Sequence, residues 1–263
     1  MFWYNGELVD GESLCLNITD PGLIYGATVF TTLRVYDQSL DHPLTHWQSH
    51  CDRLHRSIEV FGWQFPDWKR IRQGAALLSD YPVLRIVIFA DGREWITGRT
   101  LAPDLEQRQQ QGIRGWVAED TLFQRSLAAH KTGNYLGAWL ALQKAQQLGA
   151  QEAILIDSQG NWLETSTGNL WGWKNGCWWT PALRGEILPG IGRSHLLAAL
   201  ESQDIAVAQN EWTPDFIEDL EVIAYSNCVV EMVPFATILS PQGKLTFKTS
   251  HAALEQLRNI VLS

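Results

Sequence analysis

Lys131-Thr132-Gly133-Asn134-Tyr135-Leu136 is the stretch on which the reading of this chain turns. Glu164 follows it across two short strand-like runs, in Trp162-Leu163-Glu164-Thr165. Leu188-Pro189-Gly190-Ile191-Gly192-Arg193 then reads as a tight turn opening a helix. The three segments supply an amine, a carboxylate and a helix N-terminus, where unsatisfied N–H groups and the helix dipole favour an anion. The chain has six lysines. Lys174 and Lys244 sit in turn sequences, Lys144 lies within a regular helical pattern, and Lys69 and Lys248 have polar neighbours. Lys131 stands between irregular chain and a helix start, in a stretch poor in charge. On the residues alone, a solvated lysine near a helix N-terminus is an equal reading of it, although cations are slightly unfavourable there.

Working outward, 263 residues allow one large domain or two modest ones. A net charge of −9 without basic patches argues against nucleic acid, which demands clustered Lys and Arg. The same field repels anions, so an anionic substrate needs local arginines. Cys15, Cys51, Cys177 and Cys228 are far apart and form neither a metal-site spacing nor a disulfide framework. No apolar run is long enough to span a bilayer, and Met1-Phe2-Trp3-Tyr4-Asn5-Gly6 lacks the pattern of a signal peptide. The expectation is a cytoplasmic protein that binds no membrane and no metal. Thirteen tryptophans are many, and the cluster Trp171, Trp173, Trp178, Trp179 is expected in a sheet core or a subunit interface.

Asn5-Gly6 between Phe2–Tyr4 and Glu7–Val9 predicts a β-hairpin. Val29 to Tyr36 and Val83 to Ala90 read as strands, and Thr45 to Phe61 as a helix with Trp47, Leu54, Ile58 and Phe61 on one face. Ala102 to Gln111 turns polar and loses periodicity, so a linker is expected over 101–111, between a first domain of 1–100 and a second of 112–263. In the second, Asn134 to Leu148 and Arg193 to Leu200 read as helices. Ile113–Ala118, Ala153–Ile156, Trp162–Thr165, Leu170–Trp173, Cys177–Thr180, Val222–Tyr225 and Phe235–Leu239 read as strands, followed by a C-terminal helix.

The order and spacing of the Lys131, Glu164 and Gly190–Arg193 segments resemble the fold-type IV pyridoxal-phosphate enzymes over nearly the whole chain. That family includes branched-chain and D-amino-acid aminotransferases and the aminodeoxychorismate lyases. The resemblance implies an α+β fold of two domains, a small N-terminal α/β domain and a larger C-terminal domain that binds pyridoxal 5'-phosphate. It makes Lys131 the Schiff-base lysine and Glu164 the carboxylate that keeps the pyridine nitrogen protonated; without it, Glu164 reads as an exposed strand-end residue. Arg53, in His50-Cys51-Asp52-Arg53-Leu54-His55, matches the family's phosphate arginine, and would otherwise be one more surface arginine. Ile191 and Gly192 would offer backbone N–H groups to the phosphate. Asn227-Cys228 resembles the second phosphate-side loop, with Asn227 also reaching substrate and Cys228 a small buried residue.

Tyr25-Gly26-Ala27-Thr28-Val29-Phe30-Thr31-Thr32-Leu33-Arg34 separates the branches of the family. Branched-chain aminotransferases read Phe-Glu-Gly-x-Arg at its end, whereas Phe30-Thr31-Thr32-Leu33-Arg34 resembles the Phe-Thr-Thr-x-Arg of the lyases. Neighbouring strand residues face opposite sides, so one threonine meets the site, and the resemblance selects Thr32 as proton donor or relay. A threonine pair chosen for β-propensity alone is the bland alternative. Tyr25, Phe30 and Asn227 are expected to line the substrate, with Arg93 or Arg99, in Asp91-Gly92-Arg93-Glu94-Trp95-Ile96-Thr97-Gly98-Arg99, on its carboxylates. The tyrosine usual in the lyases' Gly-Arg-Gly-Tyr-like segment is missing there, which keeps an aminotransferase as the second reading; a non-catalytic binding homologue is a third. A homodimer is expected from the resemblance.

Overall fold

The computed structural model describes residues 1–261 and has an α+β fold made of two compact units. The first comprises Met1–Ala102 together with His130–Asn134. Its strands β1 (Phe2–Tyr4) and β2 (Glu7–Val9) pair across Asn5-Gly6, whose φ values of 46° and 95° are the positive pair that a tight hairpin demands. Then follow α1 (Pro21–Ile24), β3 (Thr28–Arg34), α2 (Trp47–Phe61), α3 (Trp68–Leu77), β4 (Val83–Phe89) and β5 (Glu94–Arg99). The sheet is antiparallel throughout in the order β2-β1-β5-β4-β3. Val29, Leu33, Ile86 and Ile96 point to one face and pack on Leu54 and Ile58 of α2 and Ile71 and Ala75 of α3. The α2 helix starts later than the sequence periodicity suggests, because Pro43–Thr45 forms a 3-10 turn and His46 is left-handed (φ 52°), which a helix interior does not accept.

The second unit, Pro103–Ala129 with the described chain from Tyr135 onward, opens on α4 (Leu105–Gln111). The linker expected over 101–111 is thus helical from Leu105 onward. A run of Glu, Gln and Arg forms helix readily, and a single buried Leu105 suffices to dock it, so a helix forms despite the weak periodicity. Gln109 secures it by donating to the Val230 carbonyl (3.0 Å) and to Glu231 (3.1 Å). The remaining elements are β6 (Ile113–Ala118), α5 (Leu136–Gln147), β7 (Glu152–Ile156), β8 (Trp162–Thr165), β9 (Asn169–Lys174), β10 (Cys177–Pro181), α6 (Ile191–Ser202), β11 (Val207–Asn210), α7 (Pro214–Glu218), β12 (Val222–Asn227), β13 (Glu231–Ser240), β14 (Gly243–Thr246) and α8 (Ala252–Val261). The sheet runs β11-β10-β9-β12-β13-β6-β7-β8, with β14 on β13; β10–β11, β13–β6 and β6–β7 are parallel pairs.

Trp171 and Trp178 are fully buried edge-to-face, 6.5 Å between ring centroids, and pack with Leu196 and Leu200 of α6 and Leu254 and Leu257 of α8. These tryptophans are core. Among the described residues no helix is long and apolar enough to cross a membrane.

Candidate active site

The Lys131 segment is held as an extra strip on the free edge of β3. The Phe30 N–H donates to the Lys131 carbonyl and the Gly133 N–H to the Thr28 carbonyl, both at 2.8 Å, around a bridge that sets Val29 opposite Thr132. Gly133 has to be glycine, since a Cβ there would collide with the Thr28 hydroxyl and the Gly26 carbonyl. This pairing sets Lys131 across from Phe30, and its Nζ stands 4.9 Å from the Phe30 ring centroid. Asn134 belongs to this strip, so α5 begins only at Leu136.

Alternation along β3 then sorts the two threonines. Thr31 faces α2, fully buried, with its hydroxyl 2.5 Å from His50 Nδ1 and accepting from Arg53 Nη2 at 2.5 Å. Arg53 is thus itself buried at the α2–β3 contact. Thr32 lies on the other face of the sheet, in line with Phe30. Arg85 of β4 is its directly opposed partner, and Thr97 of β5 follows in the same row. The Arg85 guanidinium covers the Phe30 ring at 3.8 Å. One row further, Arg34 and Arg99 flank Val83 on that same face.

Of the two arginines singled out from the sequence, Arg99 is therefore on the face that carries Thr32. Arg93 is committed elsewhere. Its guanidinium donates to Asp20 (2.5 Å), Asp91 (2.6 Å) and the Tyr4 hydroxyl (2.5 Å), tying the β4–β5 hairpin to the cap of α1. The hydrogen bond from Arg93, outweighing burial, holds the Asp20 carboxyl below the usual carboxylate range. Tyr25, at the end of α1, is 75% exposed. Arg85 was missed in the sequence because its row became visible only with the register of β3 on β4.

In the second unit, Glu164 is buried near the end of β8, paired with the buried Arg125 through Oε1, while Oε2 accepts from the Leu188 N–H at 3.1 Å. Asn169 Nδ2 donates to the Leu188 carbonyl at 2.9 Å. Both polar groups of the Leu188 residue are thus fixed, which shapes the turn leading into α6. That helix begins at Gly190, which offers no side-chain cap, so the first N–H groups at Ile191 and Gly192 are left to another acceptor. A Cβ on Gly192 would lie 3.5 Å from the Asn227 carbonyl carbon and 3.6 Å from the Cys228 nitrogen. The start of the β12–β13 turn therefore runs along the first turn of α6. Asn227 braces that turn: Oδ1 accepts from Val229 (2.9 Å) and Val230 (3.0 Å), and Nδ2 donates to the Thr167 carbonyl (3.2 Å). Cys228 is half-buried rather than buried. A glycine-capped helix start beside a second backbone strip is a cradle suited to a phosphate group. A carboxylate with capacity for about four hydrogen bonds suits a protonated ring nitrogen.

Sequence comparison gives a match to the family described as Amino-transferase class IV over residues 28–238. The chain is similar to an aminodeoxychorismate lyase of Vibrio harveyi, 24% identical over 94% of both chains. It is also similar to a branched-chain-amino-acid aminotransferase of Pseudomonas aeruginosa, 25% identical over 90% of this chain and 84% of the relative. In structure it resembles a branched-chain amino acid aminotransferase complexed with N-(5'-phosphopyridoxyl)-L-glutamate. The TM-score is 0.82 with 20% identity, covering 99% of this chain and 92% of the other. The family match spans most of the sequence and runs through β3, Lys131, Glu164 and Asn227, so the chain belongs to the class IV amino-transferase family, whose enzymes work with pyridoxal 5'-phosphate.

Proposed function

We propose that this protein is an aminodeoxychorismate lyase, which converts 4-amino-4-deoxychorismate into 4-aminobenzoate and pyruvate. The observation that carries the reading is a hydroxyl at Thr32, where the branched-chain aminotransferase pattern Phe-Glu-Gly-x-Arg has glycine, on the sheet face shared with Phe30 and Arg85. The similarity to the Vibrio harveyi lyase supports it.

When bound, the cofactor supplies an electron sink for the carbanion formed on the substrate ring. Lys131 is the amine that would anchor the cofactor, and its amino group would serve as the base that takes the ring proton. Glu164 would hold a proton at the pyridine nitrogen, and Arg125 keeps that carboxylate oriented. Ile191 and Gly192 would donate to the phosphate from the start of α6, with the Asn227–Cys228 strip alongside, and Arg53 would supply a cation. Arg85 and Arg99 receive the two substrate carboxylates. Loss of the ring proton and cleavage of the ether C–O bond aromatise the ring. The Thr32 hydroxyl relays a proton to the departing enolpyruvyl methylene, which leaves as pyruvate. The overall reaction is an elimination that needs no second substrate.

The second reading, an aminotransferase, draws on the similarity to the Pseudomonas aeruginosa enzyme. The two separate in one assay: 4-aminobenzoate formed over many turnovers without an added keto acid supports the lyase. Conversion of the cofactor to its amine form by branched-chain or D-amino acids, with no 4-aminobenzoate, supports the aminotransferase. The protein is also proposed to act as a homodimer. Leu23, Ile24 and Tyr25 in the first unit are exposed, as are Leu122, Leu127, Leu136 and Trp139 in the second, and such apolar patches favour burial against a second copy. Light scattering on the purified protein measures this directly, and a monomer at micromolar concentration removes the proposal.

A further inference from the structure

Glu152, at the start of β7, is a charged residue type at 2% exposure that plays no part in the chemistry above. A carboxyl at that depth is tolerated only when hydrogen bonds replace water. It has them: Oε1 accepts from the Ser166 hydroxyl and from the Ala153 N–H (3.0 Å), and Oε2 accepts from the Thr167 hydroxyl at 2.5 Å. Burial pushes its pKa up, against these hydrogen bonds. All the side-chain donors come from one turn, Ser166-Thr167, immediately beyond the strand that carries Glu164.

That turn is gripped from several sides. Thr165 Oγ1 accepts from the Gly168 N–H at 2.9 Å, closing it on itself. The Tyr135 hydroxyl donates to the Ser166 carbonyl at 2.6 Å. Gly168 meets the Ser226 carbonyl of β12 so closely that any side chain there would collide. The Thr167 carbonyl accepts from Asn227 Nδ2, and Asn227 Oδ1 in turn holds the Val229 and Val230 N–H groups. One continuous line of hydrogen bonds thus runs from Glu152 through Thr167 to Asn227, and ends on the backbone strip lying against Gly192.

We propose that Glu152 is a positioning residue for the phosphate cradle: by fixing the Thr167 hydroxyl it fixes the Thr167 carbonyl, hence Asn227, hence the amides beside the start of α6. This rests on the cofactor reading above and adds a residue to it. A purely structural role would weaken every ligand alike, or none. A role in the cradle weakens only ligands that bear the phosphate.

The test uses the purified full chain and two probes, pyridoxal 5'-phosphate and pyridoxal, titrated through tryptophan fluorescence. Glu152→Met, which keeps the volume and removes both acceptors, is expected to weaken pyridoxal 5'-phosphate about tenfold and pyridoxal less than about twofold. Glu152→Gln keeps an acceptor and is expected to recover most of the loss. Thr167→Val cuts the line at its next link, stands in if Glu152→Met fails to fold, and is expected to show the same selectivity. Combined with Glu152→Met it should add nothing further. Equal weakening of both probes, or losses that multiply in the double variant, overturns the proposal. A parent protein that binds neither probe overturns the cofactor reading itself, a result separable from the first.

Discussion

Arg53 donates to the Thr31 hydroxyl at 2.5 Å, so the first threonine of the pair belongs to the helix side of β3 and serves to orient a guanidinium. Thr32, one residue on, faces the opposite way. The two hydroxyls should therefore fail differently. Thr32→Val is expected to lower kcat for 4-aminobenzoate formation by roughly a hundredfold while leaving cofactor affinity unchanged. Thr31→Val should instead weaken cofactor binding, about tenfold, with a smaller effect on kcat. Steady-state kinetics at saturating cofactor, alongside a cofactor titration, tells the two apart.

Lys131→Ala should abolish the visible absorption band that appears when the protein is mixed with pyridoxal 5'-phosphate. Because the strip is held by its backbone to Thr28 and Phe30, the variant should retain its melting temperature within a few degrees. An unchanged band would remove Lys131 from the chemistry.

Removing Arg125 leaves the buried Glu164 carboxylate without its guanidinium. Arg125→Leu is expected to cost about 3–5 kcal/mol of stability, measured by urea unfolding. The double change Arg125→Leu with Glu164→Leu should restore part of that loss, because no uncompensated charge remains, yet stay inactive.

Arg85→Gln should raise KM for the dianionic substrate by about tenfold or more while leaving cofactor affinity intact. Arg93→Gln, by contrast, should leave KM alone and act on stability. Asp20 has a folded-state pKa below its unfolded value. Its pairing therefore stabilises the fold above the unfolded pKa and is lost as pH falls through the folded one. Arg93→Gln should accordingly shift the acid-unfolding midpoint to higher pH. An acid titration followed by circular dichroism reads the shift.

Much of this was legible in the sequence because local rules sufficed. Asn5-Gly6 dictated a hairpin, the run from Val83 to Ala90 dictated a buried strand, and Leu188-Pro189-Gly190 announced the start of α6. What escaped depends on register and distance. Arg85 meets Thr32 only because β4 pairs with β3 in one particular alignment, and no motif encodes that row. Arg125 and Glu164 are 39 positions apart and meet through the fold. Glu152 reads as an ordinary acidic residue until its burial is known. The polar α4 was read as linker because its docking depends on one leucine and on glutamine contacts to β13 and the chain just before it.

The lysine strip on β3 has a consequence for how the protein is made. The first unit is not contiguous: its sheet edge is completed by His130–Asn134, some thirty residues after the rest of the unit has ended at Ala102. On the ribosome, β3 must wait with an open edge while the intervening chain is synthesised, and an open edge is a hazard for mispairing. A gene fragment stopped at Ala102 would express a unit lacking both that closing strip and its lysine, and should aggregate more readily than the same fragment with residues 130–134 supplied through a short linker.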